Sequence, residues 1–481
     1  MRADVAEALA VGAPEVVLAA GALVLLLIGT FRGDRALPGL SWGAVLLFGL
    51  AALTILDRGG TRALVWNGLY VADGFADYLK LLILLGASAC VLLALPHLSR
   101  PSAARFEYPV LIVLATLGMC VLVSAASFLA LYVGLELLAL SSYVLAAFRR
   151  GDPRSAEAGL KYFVLGALAS GLMLFGISYV YGFAGSVAFA EVARALRVEQ
   201  SVGAVAGLVF IFAGLAFKVS AVPFHMWTPD VYQGAPTPVV AFFASAAKVA
   251  AFGLMLRVAL EAFGGMVGAW RQLVVVLAIA SMLLGAVGAI GQDNLKRLLA
   301  YSAINNVGFM FLGLAAATPP GVSATLFYLA VYMVMTLGSF LVLLALTDAD
   351  GRPMESLADI RGLARTRPLL ALAMAVFMLS LAGIPPLFGF MPKLAVFSAA
   401  VETGLFGLAL VGVIAAVIAA FYYLRVVKVM YFDEPVGAVA VPQGRLNLAM
   451  MAAAALLVSP LGFLLLGPLG AASRLAAAAL F

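Results

Sequence analysis

The sequence is poor in charged residues, cysteine and histidine. Only 11% of its 481 residues are charged and 65% are hydrophobic, so no soluble domain of this length could cover its surface. Two cysteines and two histidines cannot ligate an iron–sulfur cluster and are a poor ligand set for haem or zinc. No glycine-rich nucleotide loop follows a strand pattern. We therefore expect no cofactor or metal in this chain, and any redox chemistry must lie on another chain.

Apolar runs of about 18 or more residues follow one another along the sequence, and each could cross a hydrocarbon core of about 30 Å as a helix. The first run begins at Pro14 and lacks the basic leader and cleavage site of a signal peptide, so we expect it to be retained. The predicted fold is an all-α polytopic membrane protein with about fourteen transmembrane helices. The predicted spans are residues 14–31, 38–56, 74–96, 108–125, 127–148, 158–181, 203–233, 236–262, 269–290, 295–316, 322–347, 367–404, 405–431 and 446–467.

The net charge of +6 is distributed over short loops, so it concerns orientation in a lipid bilayer and gives no indication of nucleic-acid binding. Arg and Lys favour the odd-numbered loops between the predicted spans. By the positive-inside rule we expect both termini to face away from the cytoplasm, which is the periplasmic side of a bacterial inner membrane. Residues 184–198 have a helical spacing of apolar residues and could form a short surface helix, but we interpret them, like residues 348–366, as a surface loop.

Two of the predicted spans are interrupted by proline. In residues 217–248, FKVSAVPFHMWTPDVYQGAPTPVVAFFASAAK, the apolar run stops at Pro223, resumes around Trp227 and stops again near Pro236. Proline removes a backbone donor and clashes with the preceding turn, so this stretch predicts a broken membrane helix, and such breaks often form the working site of a transporter. A second broken helix is predicted at residues 374–398. The interrupting residues there are Gly383, Pro385, Pro386, Gly389 and Pro392.

The two predicted breaks lie five spans apart, and this odd offset places related units in opposite orientation across the bilayer. Phe377 and Ser380, followed by proline, also echo Phe217, Ser220 and Pro223. We therefore predict two inverted five-helix repeats. The expected organisation is an N-terminal three-helix segment at residues 1–107, repeats at 108–262 and 263–432, and a C-terminal helix at 433–481.

Four ionisable residues are predicted to lie near the middle of membrane spans: Glu136, Lys218, Lys248 and Lys393. At about 2.5 to 3.5 kcal/mol each, four such residues oppose membrane insertion by roughly 10 kcal/mol. For any one of them the alternative is a snorkelling or helix-packing charge. Four together, two of them beside helix breaks, favour a function in transport.

A buried lysine and a nearby carboxylate can exchange protons when the distance between them changes. At an effective dielectric of about 20, unit charges attract by about 4 kcal/mol at about 4 Å and by about 2.4 kcal/mol at about 7 Å. The difference changes a protonation equilibrium roughly tenfold. A small movement of Glu136 relative to Lys218 would therefore decide whether the lysine holds its proton, and lysines joined by water, Ser or His would form a lateral proton path through the membrane.

The other ionisable residues of the spans have less specific interpretations. His225 lies in the first break, where it could relay protons between Lys218 and Lys248 or satisfy backbone carbonyls that the prolines leave unpaired. The remaining residues, which lie near predicted span ends, are interpreted as interfacial: His97, Lys161, Arg257 and Glu261.

Four stretches resemble the antiporter-like membrane subunits of proton-pumping NADH:quinone oxidoreductase, respiratory complex I, and most closely those of the N type. They are GLELLALSSY at 134–143, PFHMWTPDVYQGAPTPV at 223–239, QDNLKRLLAYSAINNVGFM at 292–310 and LSLAGIPPLFGF at 379–390. The resemblance implies fourteen helices, two inverted five-helix units and proton translocation by Glu136, Lys218, Lys248 and Lys393. It also implies assembly with the other membrane subunits and, through them, with chains that use NADH and quinone.

Other classes of protein stay possible on the sequence. A subunit of a multisubunit cation/proton antiporter, or of a membrane-bound hydrogenase, would share the charged helices and differ in the N-type stretches. A stand-alone solute carrier would need more polar contacts around the breaks than this sequence has. A structural scaffold would keep pumping intact after its membrane charges are neutralised.

Overall fold

The computed structural model describes residues 2–98, 105–198, 201–348, 351–435 and 444–481, and they are almost entirely helical. The helices are α1 (Arg2–Val11), α2 (Ala13–Arg32), α3 (Leu37–Arg58), α4 (Gly74–Leu98), α5 (Glu107–Val123), α6 (Phe128–Ala146), α7 (Pro153–Ala184), α8 (Phe189–Val198), α9 (Val202–Val219), α10 (Trp227–Gly234), α11 (Thr237–Ala244), α12 (Ala246–Arg257), α13 (Val267–Ile290), α14 (Leu295–Ala316), α15 (Pro319–Ala345), α16 (Leu363–Thr366), α17 (Pro368–Ala382), α18 (Phe390–Glu402), α19 (Phe406–Phe432), α20 (Arg445–Val458) and α21 (Leu466–Ala478). A short antiparallel hairpin pairs β1 (Ala63–Val65) with β2 (Tyr70–Ala72).

Within the described residues, eleven helical stretches are long and apolar enough to cross a membrane, and a twelfth is added if the pair bent by 118° before Pro368 is one span. Helices α2, α3, α7 and α19 expose many large apolar side chains. Lipid is the environment in which such faces are stable, because acyl chains lack the water that would penalise them. The chain is therefore a multi-pass membrane protein.

Two local elements differ from the sequence-based interpretation. Residues 189–198, interpreted as a surface loop, form helix α8, so the alternative of a short helix is the correct one there. Backbone hydrogen bonds join the start of α8 to the residues just before α6. For example, the N–H of Phe189 donates to the carbonyl of Ala126 at 2.9 Å. The β hairpin was not predicted at all. It is three residues per strand, too short to give a clear alternation of apolar and polar residues.

Clustering of backbone contacts separates two compact units. The first comprises Met1–Val219, Ala246–Leu273 and Ala472–Phe481, and the second comprises Ser220–Ser245 and Val274–Ala471. In the first unit, α7 packs along α9, α5 along α6, and α12 against both α4 and α5. In the second, α14 packs against α15, α18 and α10, while α17 packs against α19. The first unit thus contains both ends of the stretch 217–248 that was predicted to be broken, and the second unit contains its middle.

Arg257, which the sequence predicted to be interfacial, is fully buried in the first unit, and its depth in the membrane stays a prediction. Its guanidinium donates to both carboxylate oxygens of Asp73, at 2.8 and 3.0 Å, and to Glu261 at 2.9 Å. Its Nε donates to the backbone carbonyl of Val123, the last residue of α5, at 2.9 Å. A planar guanidinium with several donors can satisfy all these acceptors at once, which is why a buried arginine is tolerated here.

A second buried ion pair lies between α2 and α4. Lys80 Nζ lies 2.6 Å from Glu15 Oε1 and donates to the Tyr70 hydroxyl at 2.6 Å, and that hydroxyl donates to Glu15 Oε2 at 2.7 Å. Burial raises the pKa of the Tyr70 phenol well above its usual range, so the phenol keeps the proton that it donates. Two hydrogen bonds and one ion pair thus connect the three side chains in a closed ring, and none of them was singled out from the sequence.

The Arg257 site gives a stability prediction. Asp73→Asn removes one of the two carboxylate charges that pair with Arg257, and breaking a buried ion pair from one side costs about 3 to 5 kcal/mol. The matched control is Asp34→Asn, because Asp34 pairs with Arg105 on the exposed surface, where an ion pair contributes about 0 to 1 kcal/mol. We expect thermal denaturation of the detergent-solubilised protein to show a clearly lower midpoint for Asp73→Asn only. Equal midpoints would show that the buried pair does not stabilise the fold.

Candidate proton-transfer site

The first predicted break is present and is seven residues long. Helix α9 ends at Val219, residues 220–226 are not helical, and α10 begins at Trp227. Ser220 has a φ of +66°, which a helix cannot accommodate, and Pro223 supplies no backbone donor. The N–H of Val222 donates to Ser281 Oγ at 2.9 Å, so a side chain of α13 satisfies one group that the break leaves without a helical partner.

The second predicted break is also present. Helix α17 ends at Ala382, residues 383–389 are not helical, and α18 begins at Phe390. Gly383 has a φ of +79°, in the left-handed region that favours glycine. Ser380 Oγ, in the last turn of α17, accepts the N–H of Gly389 at 3.1 Å and so joins the two sides of the break. Both breaks are therefore held by a serine hydroxyl.

Lys248 is almost fully buried and lies on α12, three residues after a further interruption. The sequence predicted a continuous helix over residues 236–262, but the backbone departs from helical geometry at Ser245, which separates α11 from α12. Lys248 Nζ donates to the carbonyl of Val219, the last residue of α9, at 2.9 Å. The last carbonyls of a helix have no partner within the helix, and the helix dipole adds a partial negative charge there.

Lys393 makes the same kind of contact at the second break. It is buried on α18, and its Nζ donates to the carbonyls of Leu381 and Ala382, at 2.7 and 2.8 Å. These are the last two residues of α17. The same Nζ lies 4.8 Å from the centre of the Phe309 ring. A cation at a helix C-terminus gains about 0.3 to 2 kcal/mol, which offsets part of the insertion cost of about 2.5 to 3.5 kcal/mol.

Glu136 and Lys218 lie in the first unit, on α6 and in the last turn of α9. Lys218 Nζ is buried against two rings, 5.6 Å from the centre of Phe217 and 6.0 Å from that of Tyr143, and the Glu136 carboxylate is the charge that attracts it. Within the described residues, Lys218 Nζ, Glu136 Oε1 and the Tyr143 hydroxyl have no hydrogen-bond partner. Three groups that can hold or give a proton are thus buried in one unit without fixed partners.

The structure distributes the predicted site residues over both units. Lys218 and Lys248 meet at one helix end, since Lys248 binds the carbonyl of the residue that follows Lys218. His225 and Lys393 belong to the second unit. The imidazole of His225 lies against the backbone carbonyl of Pro223, as the structural alternative for this residue requires. Its role as a proton relay stays a prediction.

Sequence inspection missed a polar cluster in the middle of α14. Asn306 donates to the Tyr423 hydroxyl at 3.2 Å and accepts from the Tyr328 hydroxyl at 2.8 Å, while Ser302 and Tyr423 share a hydrogen bond of 2.6 Å. All four side chains are buried. The sequence does contain a sign of this cluster, the run of polar residues YSAINN at 301–306 within an apolar span. None of these residues is charged.

Gly383 gives a prediction about the position of Lys393. A Cβ atom at residue 383 would lie 2.7 Å from Lys393 Cδ, so Gly383→Ala would displace the lysine in addition to straining a backbone with φ of +79°. The matched control is Gly404→Ala, where φ is +77° but nothing lies within 4 Å of the added atom. We expect Gly383→Ala to abolish transport and Gly404→Ala to cost only the strain of about 1 kcal/mol. Equal transport in the two variants would show that Lys393 tolerates displacement.

Comparison with known proteins agrees with this geometry. A family model described as NADH:quinone oxidoreductase/Mrp antiporter, TM, matches residues 125–419. The NADH-quinone oxidoreductase subunit N of Rhizorhabdus wittichii is 55% identical over 98% of this chain and 99% of its own. A chain of respiratory complex I from Thermus thermophilus is 35% identical, with a TM-score of 0.81 over 94% of this chain and 98% of that one. A chain of the Mrp complex from Dietzia has a TM-score of 0.84 at 24% identity, over 98% of this chain and 97% of that one, a likeness of fold alone.

Broken helices whose ends are bound by buried lysines, in a multi-pass membrane protein, define the class of antiporter-like membrane subunits. The chain belongs to this family, that of the NADH:quinone oxidoreductase and Mrp antiporter subunits. Within the family it is similar over its whole length to relatives named NADH-quinone oxidoreductase subunit N. The resemblance inferred from the four sequence stretches is thereby confirmed.

Proposed function

We propose that this chain is the N-type, proton-translocating membrane subunit of an NADH:quinone oxidoreductase. It would move protons across the membrane through Glu136, Lys218, Lys248 and Lys393, with His225 beside the first break. NADH oxidation and quinone reduction would take place on other chains, to which the further membrane subunits connect it. The 55% identity to a subunit N favours this function over that of a subunit of a cation/proton antiporter.

The observation that supports proton transfer best is the shared position of Lys248 and Lys393. Each donates to carbonyls at the C-terminal end of a helix that stops at a break, Val219 for the first and Leu381 with Ala382 for the second. A lysine that loses its proton keeps only its lone pair and two weaker donors, so the attraction to the helix end falls when the proton leaves. Protonation and the local geometry of the break are therefore coupled at both sites.

We further propose fourteen transmembrane helices with two inverted five-helix repeats. The helical stretch of 46 residues from Ala13 to Arg58 contains two helices, α2 and α3. Helix α5 has 17 residues, and α17 and α18 are the two short halves of a broken helix. Counting α2 and α3 separately, and adding α5 and the α17–α18 pair, raises the eleven candidate spans to fourteen. The equal length of the two breaks supports the repeats, with residues 1–107 before them and 433–481 after them.

The distribution of Arg and Lys supports an orientation with both termini on the periplasmic side, and the bacterial relatives support an inner-membrane location. Helix α14 then begins on the cytoplasmic side, with the basic pair Lys296 and Arg297 in its first turn. This orientation could be tested by labelling single cysteines introduced near the termini with a reagent that does not cross the membrane.

The functional proposal predicts two results from purification. A tagged copy purified gently from its native membrane should bring with it NADH-oxidising and quinone-reducing activity. The chain expressed by itself should show no absorbance from flavin, haem or an iron–sulfur cluster, because it has no residues suited to hold them. A chromophore retained in a one-to-one ratio by the isolated chain, or purification without any NADH-oxidising partner, would contradict the proposal.

A further inference from the structure

A third buried lysine binds the end of a broken helix, and it is not among the site residues predicted from the sequence. Lys296, the second residue of α14, donates through Nζ to the carbonyl of Ala235 at 3.1 Å. Ala235 is the residue that terminates α10, the short helix after the first break. Lys248, Lys296 and Lys393 therefore make the same contact at three helix ends, and Lys296 does so within the second unit.

Lys296 also has a carboxylate partner, Glu355, that water can reach. Its Nζ lies 2.9 Å from Glu355 Oε1, and the exposed fraction of the side chain is 5% for Lys296 and 26% for Glu355. The pair thus joins the protein interior to its surface.

The backbone fixes Glu355 in this position. Its carbonyl accepts the N–H of Leu295 at 2.7 Å, and the N–H of Leu357 donates to the carbonyl of Asp293 at 2.8 Å. Asn294 and Ser356 form an antiparallel bridge between these two bonds. The segment is therefore paired with the start of α14 from Glu355 to Leu357, unlike most surface ion pairs, whose long side chains are held by nothing else.

Helix α14 leads from this pair toward Lys393. The buried cluster of Ser302, Asn306, Tyr328 and Tyr423 lies in its middle, and Phe309 on the same helix contacts Lys393. From residue 296 to residue 309 the helix rises by about 20 Å. Hydroxyl groups can both donate and accept protons, so this cluster offers intermediate positions in an otherwise apolar interior.

We infer that Lys296 and Glu355 form a proton-exchange site through which the second unit takes up protons from the aqueous phase at the start of α14. The Glu355 carboxylate binds a proton from water and becomes a carboxylic acid. It then gives this proton to the neutral amine that Lys296 becomes after passing its own proton inward, which restores a carboxylate and an ammonium. The inference depends on the proposed function, because it adds an entry point to proton translocation.

The deciding variant is Lys296→Arg, measured as NADH-driven proton uptake into vesicles that contain the whole assembly. Arginine keeps the positive charge, the ion pair and a donor for Ala235, but its guanidinium does not release a proton in proteins. We expect uptake to fall roughly tenfold or more with the amount of assembled complex unchanged. Glu355→Gln, which removes the proton acceptor and keeps the size, should reduce uptake similarly. The control Lys428→Arg changes a lysine that is 62% exposed and should leave uptake unchanged.

Normal uptake by either Lys296→Arg or Glu355→Gln would overturn the inference and leave the pair with a structural role only. Glu355→Gln decides the question if Lys296→Arg does not assemble. Lys248→Ala and Lys393→Ala, measured in the same vesicles, distinguish a failure of the exchange site from a failure of the proposed function. If these two are impaired while Lys296→Arg is normal, only the exchange site is wrong. If all of them pump normally, the proposed function itself fails.

Discussion

Glu136→Gln is expected to reduce NADH-driven proton uptake by roughly tenfold or more, with assembly close to normal. Glutamine has the size of glutamate but cannot take up a proton or attract Lys218 through a full charge. Glu136 Oε1 and Lys218 Nζ have no hydrogen-bond partner among the described residues, so the substitution removes no hydrogen bond of these two atoms. Lys218→Ala should cause a comparable loss of uptake, because alanine has no group that can bind a proton. Uptake is measured in vesicles that contain the whole assembly.

The matched control for this prediction is Glu157→Gln. Glu157 lies on the exposed side of α7. Its carboxylate is 2.7 Å from the ammonium of Lys161, which lies one helical turn further along the same helix. Such a pair contributes about 0.3 to 0.5 kcal/mol, so its loss should change neither assembly nor uptake. Native uptake in Glu136→Gln would remove the Glu136 and Lys218 pair from the transport mechanism. A parallel loss of uptake and of assembled protein would indicate a structural role.

Lys248→Ala and Lys393→Ala are each expected to stop proton uptake, and the double variant should be no worse than the worse single one. This non-additivity is what residues acting in series produce. Each substitution also leaves helix-end carbonyls without their donor, three in total over Val219, Leu381 and Ala382. Uptake must therefore be compared at equal amounts of assembled complex, because unpaired buried carbonyls cost about 1 to 3 kcal/mol each.

Lys248→Arg and Lys393→Arg separate the two effects of these lysines. Arginine can still donate to the helix-end carbonyls, yet it holds its proton. Restored assembly without restored uptake would assign the lysines to proton transfer. Partial losses in the single alanine variants that multiply in the double variant would show two parallel routes, and the single lateral path would have to be abandoned.

The spans, both breaks and the four membrane charges could be predicted from the sequence because each depends on neighbouring residues. A run of apolar residues makes a span, and a cluster of prolines and glycines within such a run interrupts the helix. Glu136, Lys218, Lys248 and Lys393 attract notice because a charge in hydrocarbon is costly whatever surrounds it. The interruption at Ser245 could not be predicted in this way, since AFFASAAK contains no helix breaker.

The sequence by itself determined that this is a multi-pass membrane protein with two broken helices and an antiporter-like set of charges. Tertiary structure alone decided which charges are paired. Arg257 and Asp73 lie 184 residues apart in the chain, and Lys296 is 61 residues from the carbonyl that it binds. A sequence does not show which partner a charge near a span end has, and only the folded structure gives the distance between them. Coulomb attraction falls with distance in space and is indifferent to distance along the chain, so these sites became visible only in the folded protein.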